Sequence, residues 1–236
     1  MRFQTELIPA RLIRRYKRFL ADCTLPDGQV VTAHVANPGK MTGLAEPEMR
    51  VWLEPNDNPK RKLRFTWRLV EPAQGCLVGV DTGLANAIVA EALAQGKIPA
   101  FADHRVQREV RYGEGNRVDF LLTAPDGSEH LLEVKSVTLC REPGLAEFPD
   151  TTTARGAKHM SALASEIHAG RRATVLYLIQ RNDCIGFKIA ADIDPAYADA
   201  AKHAHQAGVE TLAFATDISP TAIQMADRAA DVQPLA

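Results

Sequence analysis

The chain is poor in the features that mark several large protein classes. Its 236 residues include only four cysteines, Cys23, Cys76, Cys140 and Cys184, far apart, with no Cys-x-x-Cys pair and no histidine at zinc-finger spacing. That spacing predicts reduced, mostly buried thiols of a cytoplasmic protein, with no disulfide or metal role. Met1 to Ala10 has no apolar core, and no apolar run approaches the ~20 residues of a membrane span, so neither a secretory signal nor a membrane partner is expected. No glycine-rich phosphate loop, nucleotide fingerprint or activated serine or cysteine pattern is present, which argues against a sugar-metabolic enzyme. Internal repeats and low-complexity segments are missing as well.

The length suits one large or two small domains, and 46% hydrophobic residues suffice for real cores. Net charge is −1, yet Lys and Arg exceed the acids up to about residue 72 and fall behind them afterwards. A polyanionic partner is therefore expected on the N-terminal third.

In residues 1–80 five strand-like runs stand out: Arg11 to Cys23, Gln29 to Ala36, Arg50 to Glu54, Leu63 to Glu71 and Cys76 to Asp81. Pro26-Asp27-Gly28, Asn37-Pro38-Gly39 and Pro55-Asn56-Asp57-Asn58-Pro59 punctuate them, and short strands at this spacing fit a small OB-like barrel. Arg14, Arg15, Lys17 and Arg18 crowd the first run, and Lys60, Arg61 and Lys62 precede the fourth. Tyr16, Phe19, Phe65 and Trp67 are interleaved with them, pairing cations for phosphates with rings for bases. The plainer alternative is a solvated basic face over core aromatics.

From residue 81 to 236 the expected order is helix, three strands, helix, strand, helix, strand: a mixed α/β sheet with helices on its faces. The first helix runs from Gly83 to about Gln95, capped by Asp81 or Thr82, and its stripe Leu84, Ala87, Ile88, Glu91 and Gln95 carries one acid. The centre of the pattern is RVDFLLTAPDGSEHLLEVKSVTL, residues 117–139. Two β-forming runs flank a strong turn, Ala124 to Ser128, so Asp119 on one strand and Glu133 with Lys135 on the next can converge. Burying two carboxylates and an ammonium is costly unless they pair or bind a cation. The bland reading is a surface hairpin with an ion pair. Arg155, Lys158 and His159 then open a helix from about 154 to 169, where the macrodipole disfavours cations and an anionic partner is expected, the alternative being a capping accident or a local ion pair. Gln180 and Arg181 end the following strand near the same sheet edge.

The order Glu91, Asp119, Glu133-Val134-Lys135 and a basic helix resembles the PD-(D/E)xK nuclease superfamily, with its αβββαβ core. The stretches HVANPGKM, NDNPKRK, VDTGLANAIVAEAL, RVDFLL, EVKSVTL, FPDTTTARGAKHM and GVETLAF resemble the sugar fermentation stimulation protein A family over nearly the full length. The departure noticed is Pro47-Glu48, where family members often place a glycine. The resemblance implies an OB-like domain over 1–80, a PD-(D/E)xK nuclease-like domain over 81–236, DNA binding, and an association with sugar utilisation genes.

It also implies that Asp119, Glu133 and the Val134 carbonyl ligate Mg²⁺, or alternatively Mn²⁺, with Glu91 direct or through water. Lys135 would orient the attacking hydroxide, and Arg155, Lys158 and Gln180 would hold the phosphate backbone. The function expected is a metal-dependent DNA nuclease, with RNA left open; the alternative is a non-catalytic DNA-binding regulator on the same fold. The oligomeric state is left open, a homodimer included.

Overall fold

The computed structural model describes residues 1–73, 75–113 and 115–234. Strands β1 (Ile8–Tyr16), β2 (Leu20–Thr24), β3 (Val30–His34), β4 (Arg50–Pro55) and β5 (Phe65–Glu71) pair in the order β3-β2-β1-β4-β5, and a parallel β3–β5 pairing closes the barrel. Closure leaves no free edge. Leu12, Ala21, Cys23, Ala33, Leu53 and Trp67 fill the interior together with Val78 of β6 (Val78–Gly79), a short strand added along β5 beyond its pairing with β3.

Five strands were expected, but not these five. The run Arg11 to Cys23 is a hairpin, β1 and β2, that reverses at Lys17-Arg18-Phe19. Lys17 and Arg18 adopt φ of 46° and 65°, a conformation ordinarily signalled by Gly or Asn, so the sequence gives no warning. The run from Cys76 contributes only the two-residue β6, whose Val78 joins the barrel core. Trp67 is fully buried and its indole donates to the Leu69 carbonyl at 2.8 Å, so it serves the core and not base stacking. Glu48, where a glycine was noted as usual, holds φ 69°, its N–H donating to the Leu12 carbonyl at 2.7 Å.

The second region begins with α1 (Ala85–Ala94) and then β7 (Arg105–Tyr112), β8 (Asn116–Thr123) and β9 (Glu129–Val137). Next come β10 (Leu139–Glu142), β11 (Leu145–Phe148), α2 (Ala154–His168), β12 (Arg172–Ile179) and β13 (Gly186–Ile189). The chain then forms α3 (Pro195–Ala207), β14 (Glu210–Ser219), β15 (Ala222–Ala229) and β16 (Asp231–Val232). The main sheet has order β15-β14-β12-β9-β8-β7, with β9, β12 and β14 parallel and the others antiparallel. A smaller sheet, β10-β11-β13-β16, flanks it and was not anticipated.

Alternation along each strand builds a core on both faces. Phe120, Leu132, Val134 and Leu176 pack under Ile88 and Val89 of α1, while Leu131, Val137, Val175 and Tyr177 pack under Met160 and Leu163 of α2 and Tyr197 of α3. The α1 core continues into Leu7, Trp52 and Leu69, so the barrel's outer wall and the sheet share one apolar contact.

The Asn37-Pro38-Gly39-Lys40 loop docks the two parts. Asn37 anchors the loop to its own region by donating to the Val80 carbonyl at 2.9 Å, and across the seam the Met41 N–H donates to Asp150 Oδ2 at 3.0 Å. A Cβ at Gly39 would stand 2.4 Å from the Asp150 carboxylate, so only glycine allows this approach. On the other flank the Gly79 N–H donates to the Gln180 carbonyl at 2.9 Å, and Val78 bridges to Arg181.

Candidate metal and nucleic-acid site

Period-two alternation turns Glu133 and Lys135 of β9 to the α2 face with Leu131 and Val137, and Val134 to the α1 face. The turn expected between β8 and β9 is present: the Ala124 N–H donates to the Ser128 carbonyl at 2.9 Å, and Gly127 supplies φ 85°. The β8–β9 register reaches Phe120 opposite Leu132, which brings Asp119 beside Glu133 and Val134. Here the carboxylate replaces the ladder: the Val134 N–H donates to Asp119 Oδ2 at 2.8 Å, and Asn86 of α1 donates to Oδ1 at 2.7 Å.

Glu133 is 3% exposed. Its Oε1 accepts from Lys135 Nζ at 2.6 Å and from His159 Nδ1 at 2.5 Å, while Oε2 is buried with no partner among the described residues. Arg155 Nε approaches His159 Nε2 at 3.4 Å; since a guanidinium can only donate, Nδ1 is the nitrogen that carries the proton toward Glu133. The anion that the basic start of α2 requires is thus Glu133, reached through His159.

The two carboxyls are driven apart electrostatically. Burial and then the Glu133 charge raise the Asp119 pKa above the ordinary carboxylate value, against the donors Val134 and Asn86. For Glu133 burial pushes upward too, but the His159 hydrogen bond and the Lys135 charge outweigh it and the net direction is down. Glu133 is therefore the readily ionised member of the pair and Asp119 the reluctant one.

This pair stands in a cleft of about 680 Å³ between the barrel loop around Asn37–Gly39 and the second domain. Glu109 and Arg117 also line it, joined at 2.9 Å, and Glu109 holds φ 56° inside β7, a strained conformation of the kind found at working sites. A partnerless buried carboxylate oxygen next to a second, half-buried carboxylate is a donor set that a hard, oxygen-preferring cation would complete.

Not every expected residue is here. Glu91 points away: α1 buries Ala85, Ile88, Val89, Ala92 and Leu93, and Glu91 pairs with the Met1 amino group beside the Ile223 carbonyl. The helix is apolar nearly all round, so its period does not select a face; Asn86, five residues earlier, is the α1 side chain that reaches Asp119. Gln180 is fully buried outside the cleft, donating to Ser136 Oγ at 2.7 Å, so it supports a wall residue instead of facing a phosphate. Arg155 lines the cleft, whereas Lys158 is exposed beyond it.

Of the barrel cations, Arg18 lines the cleft. The Arg15 guanidinium is spent on the carbonyls of Asn37, Gly39, Lys40 and Arg18 at 2.8–3.2 Å. Arg14 pairs with Asp22 at 3.0 Å and covers the Tyr16 ring at 4.8 Å. Lys17 is exposed in the hairpin turn, and Lys60, Arg61 and Lys62 are exposed in the β4–β5 loop, none of them on the cleft. Sequence reasoning missed Asn86, Glu109 and Arg117; an amide at a helix start and an ion pair along a strand carry no distinguishing signal.

Residues 13–80 match the family described as SfsA N-terminal OB domain, and residues 83–222 that described as Sugar fermentation stimulation protein RE domain. A sugar fermentation stimulation protein homolog from Ruegeria pomeroyi is 58% identical over 228 residues, 96% of this chain and 99% of that protein. One from Rhodospirillum centenum is 54% identical over 224 residues, 94% of this chain and 96% of its own. The solved structure of Pyrococcus furiosus SfsA in complex with Ca²⁺ superposes with TM-score 0.89 at 26% identity, covering 99% of this chain and 98% of that one. With an OB barrel followed by a mixed α/β domain that matches the RE-domain model, and this similarity along its whole length, the chain belongs to the sugar fermentation stimulation protein family.

Proposed function

We propose that the chain is a divalent-cation-dependent nuclease acting on DNA, with RNA as the other polynucleotide to be tested. The observation that carries this reading is the partnerless buried Oε2 of Glu133 beside Asp119. A pure nucleic-acid binder gains nothing from two carboxylates facing a polyphosphate, since each repels it. The archaeal relative's Ca²⁺ complex supports a hard-cation site in this family.

Asp119, Glu133 and the Val134 carbonyl would hold Mg²⁺ or Mn²⁺, with Asn86 and His159 fixing the two carboxylates. When bound, the cation supplies an acidified water and charge neutralisation at the scissile phosphate. Lys135 lies 2.6 Å from Glu133 Oε1, and its ammonium balances negative charge at that phosphate. Arg155, Arg117 and Arg18 around the cleft offer cations to the backbone of a strand lying along it. Lys17, Lys60, Arg61 and Lys62 extend the basic surface on the barrel.

The test is incubation of the purified protein with single-stranded and duplex DNA and with RNA, in Mg²⁺, Mn²⁺ or chelator. Cleavage that needs the cation and vanishes in Asp119→Asn and Lys135→Met supports the reading. Cation-independent cleavage, or equal cleavage by wild type and both variants, removes it. Binding without cleavage under every condition favours the non-catalytic regulator, and with it a direct role at sugar utilisation genes.

A further inference from the structure

Three of the four cysteines, so distant in sequence, converge at the seam between the barrel and the second domain. Cys76 precedes β6, Cys140 is in β10, and Cys184 follows β12 with Asp183 beside it. Ligand atoms of Cys140, Asp183 and Cys184 all lie within 4.8 Å of one another. Cys184 Sγ lies 3.6 Å from Asp183 Oδ1, and Cys76 Sγ stands next to this group, 3.8 Å from Arg181 Nη2. Cys23, the fourth, sits in the barrel interior.

We infer that Cys140, Cys184 and Asp183 form the core of a site for a soft divalent cation of zinc type, which Cys76, standing beside them across the seam, completes as the fourth donor. Three sulfurs and one oxygen are a ligand set for tetrahedral zinc, and thiolate softness separates this site from the all-oxygen set at Asp119 and Glu133. Cys76 and Cys184 are 7% and 2% exposed, whereas Cys140 is half-buried and gives the ion an entry.

Arg181 has a defined place in such a site. It is 6% exposed, donates to the Thr138 carbonyl at 2.9 Å and holds both Asp183 oxygens at 2.8 and 2.9 Å. Its charge would offset the surplus negative charge that three thiolates and a carboxylate leave around a dication. Without the ion, burial keeps Cys76 protonated, its pKa pushed up to about 12, and binding releases such protons. Affinity therefore rises with pH.

The experiment uses the full chain, reduced and stripped with chelator, titrated with Co²⁺ as a spectroscopic substitute for zinc. The expected result is a thiolate-to-cobalt charge-transfer band with the visible bands of tetrahedral cobalt, saturating at one ion per chain and displaced by Zn²⁺. It should be lost in Cys140→Ser and Cys184→Ser, weakened in Cys76→Ser, and unchanged in Cys23→Ser. Asp119→Asn should leave it intact, so this inference and the nuclease reading can fail separately. Absence of the band in wild type, or its survival in Cys140→Ser/Cys184→Ser, overturns the proposal. Should those variants not fold, alkylation of the wild type decides: zinc should slow modification of Cys140, and equal modification with and without zinc overturns the site.

Discussion

Two buried ionic clusters in this molecule use the same ingredients and end differently. Arg68 bridges Glu54 and Asp81 where the barrel meets α1, and each of the four carboxylate oxygens there has a donor: the Gln4 N–H and Arg68 on Glu54, the Gly83 N–H and Arg68 on Asp81. At Asp119 and Glu133 a lysine and a histidine crowd one oxygen, and its neighbour is left bare. A cluster that serves only the fold satisfies its own groups, whereas one kept for an outside ligand leaves a position open.

The largest effect should come from the open cluster. Asp119→Ala and Glu133→Ala should lower cation-dependent cleavage by roughly 10²–10³ or more, the scale on which losing a transition-state stabiliser is felt. Affinity for the uncut polynucleotide, measured in chelator, should be equal or tighter. A parallel loss of binding and cleavage would make the site a grip.

Next, Arg68→Ala should cost about 3–5 kcal/mol in denaturant unfolding, because it abandons two buried carboxylates to each other. A cost under about 1 kcal/mol would show that the closed cluster is solvated and the contrast false.

Positioning groups come third. Asn86→Ala and His159→Leu should weaken Mg²⁺ binding by about 10–100-fold, as expected for residues that orient ligands, with binding followed by calorimetry. No change would mean that the carboxylates hold themselves.

The pH profile sharpens the comparison further. Asp119 has a raised pKa, so its favourable contribution is full below the unfolded carboxylate value and lost as pH rises through the folded one. Asp119→Asn should therefore stabilise the chain at neutral pH in chelator and abolish stabilisation by Mg²⁺. Glu133, with its pKa lowered, contributes above the unfolded value and loses that contribution as pH falls through the folded one. Glu133→Gln should cost stability at pH 7 and progressively less in acid, as thermal melts across pH would record.

The smallest effect is expected at Glu91, whose side chain is 40% exposed where it meets Met1. Glu91→Gln should cost no more than about 1 kcal/mol and leave cleavage untouched. Lost cleavage would return it to the site.

What the sequence disclosed follows from how local each signal is. The hairpin holding Asp119, Glu133 and Lys135 was legible because alternation and turn chemistry both act within a few residues. The reversal at Lys17-Arg18 was not, since neither residue announces a left-handed backbone. Glu91 misled because α1 is apolar on most sides, and no local pattern could say that Asn86 would reach β8. Arg15 has the composition of a phosphate ligand, but its donors go to three carbonyls of the Asn37–Lys40 loop and one of its own hairpin turn. The convergence of three cysteines is tertiary throughout, so their wide spacing pointed only to plain buried thiols.

The docking of the barrel also limits what can enter the cleft. Asp150 fastens one flank through Gly39 and Met41, and Gln180 with Arg181 fastens the other through Gly79 and Val78. A hinge opening would have to break both clasps at once, so the two halves act as a fixed caliper. On the nuclease reading that gap would bound the girth of a polynucleotide, and a Gly39→Ala change, which sets a Cβ against the Asp150 carboxylate and loosens its hold on Met41, should alter which polynucleotides fit before it alters any chemistry.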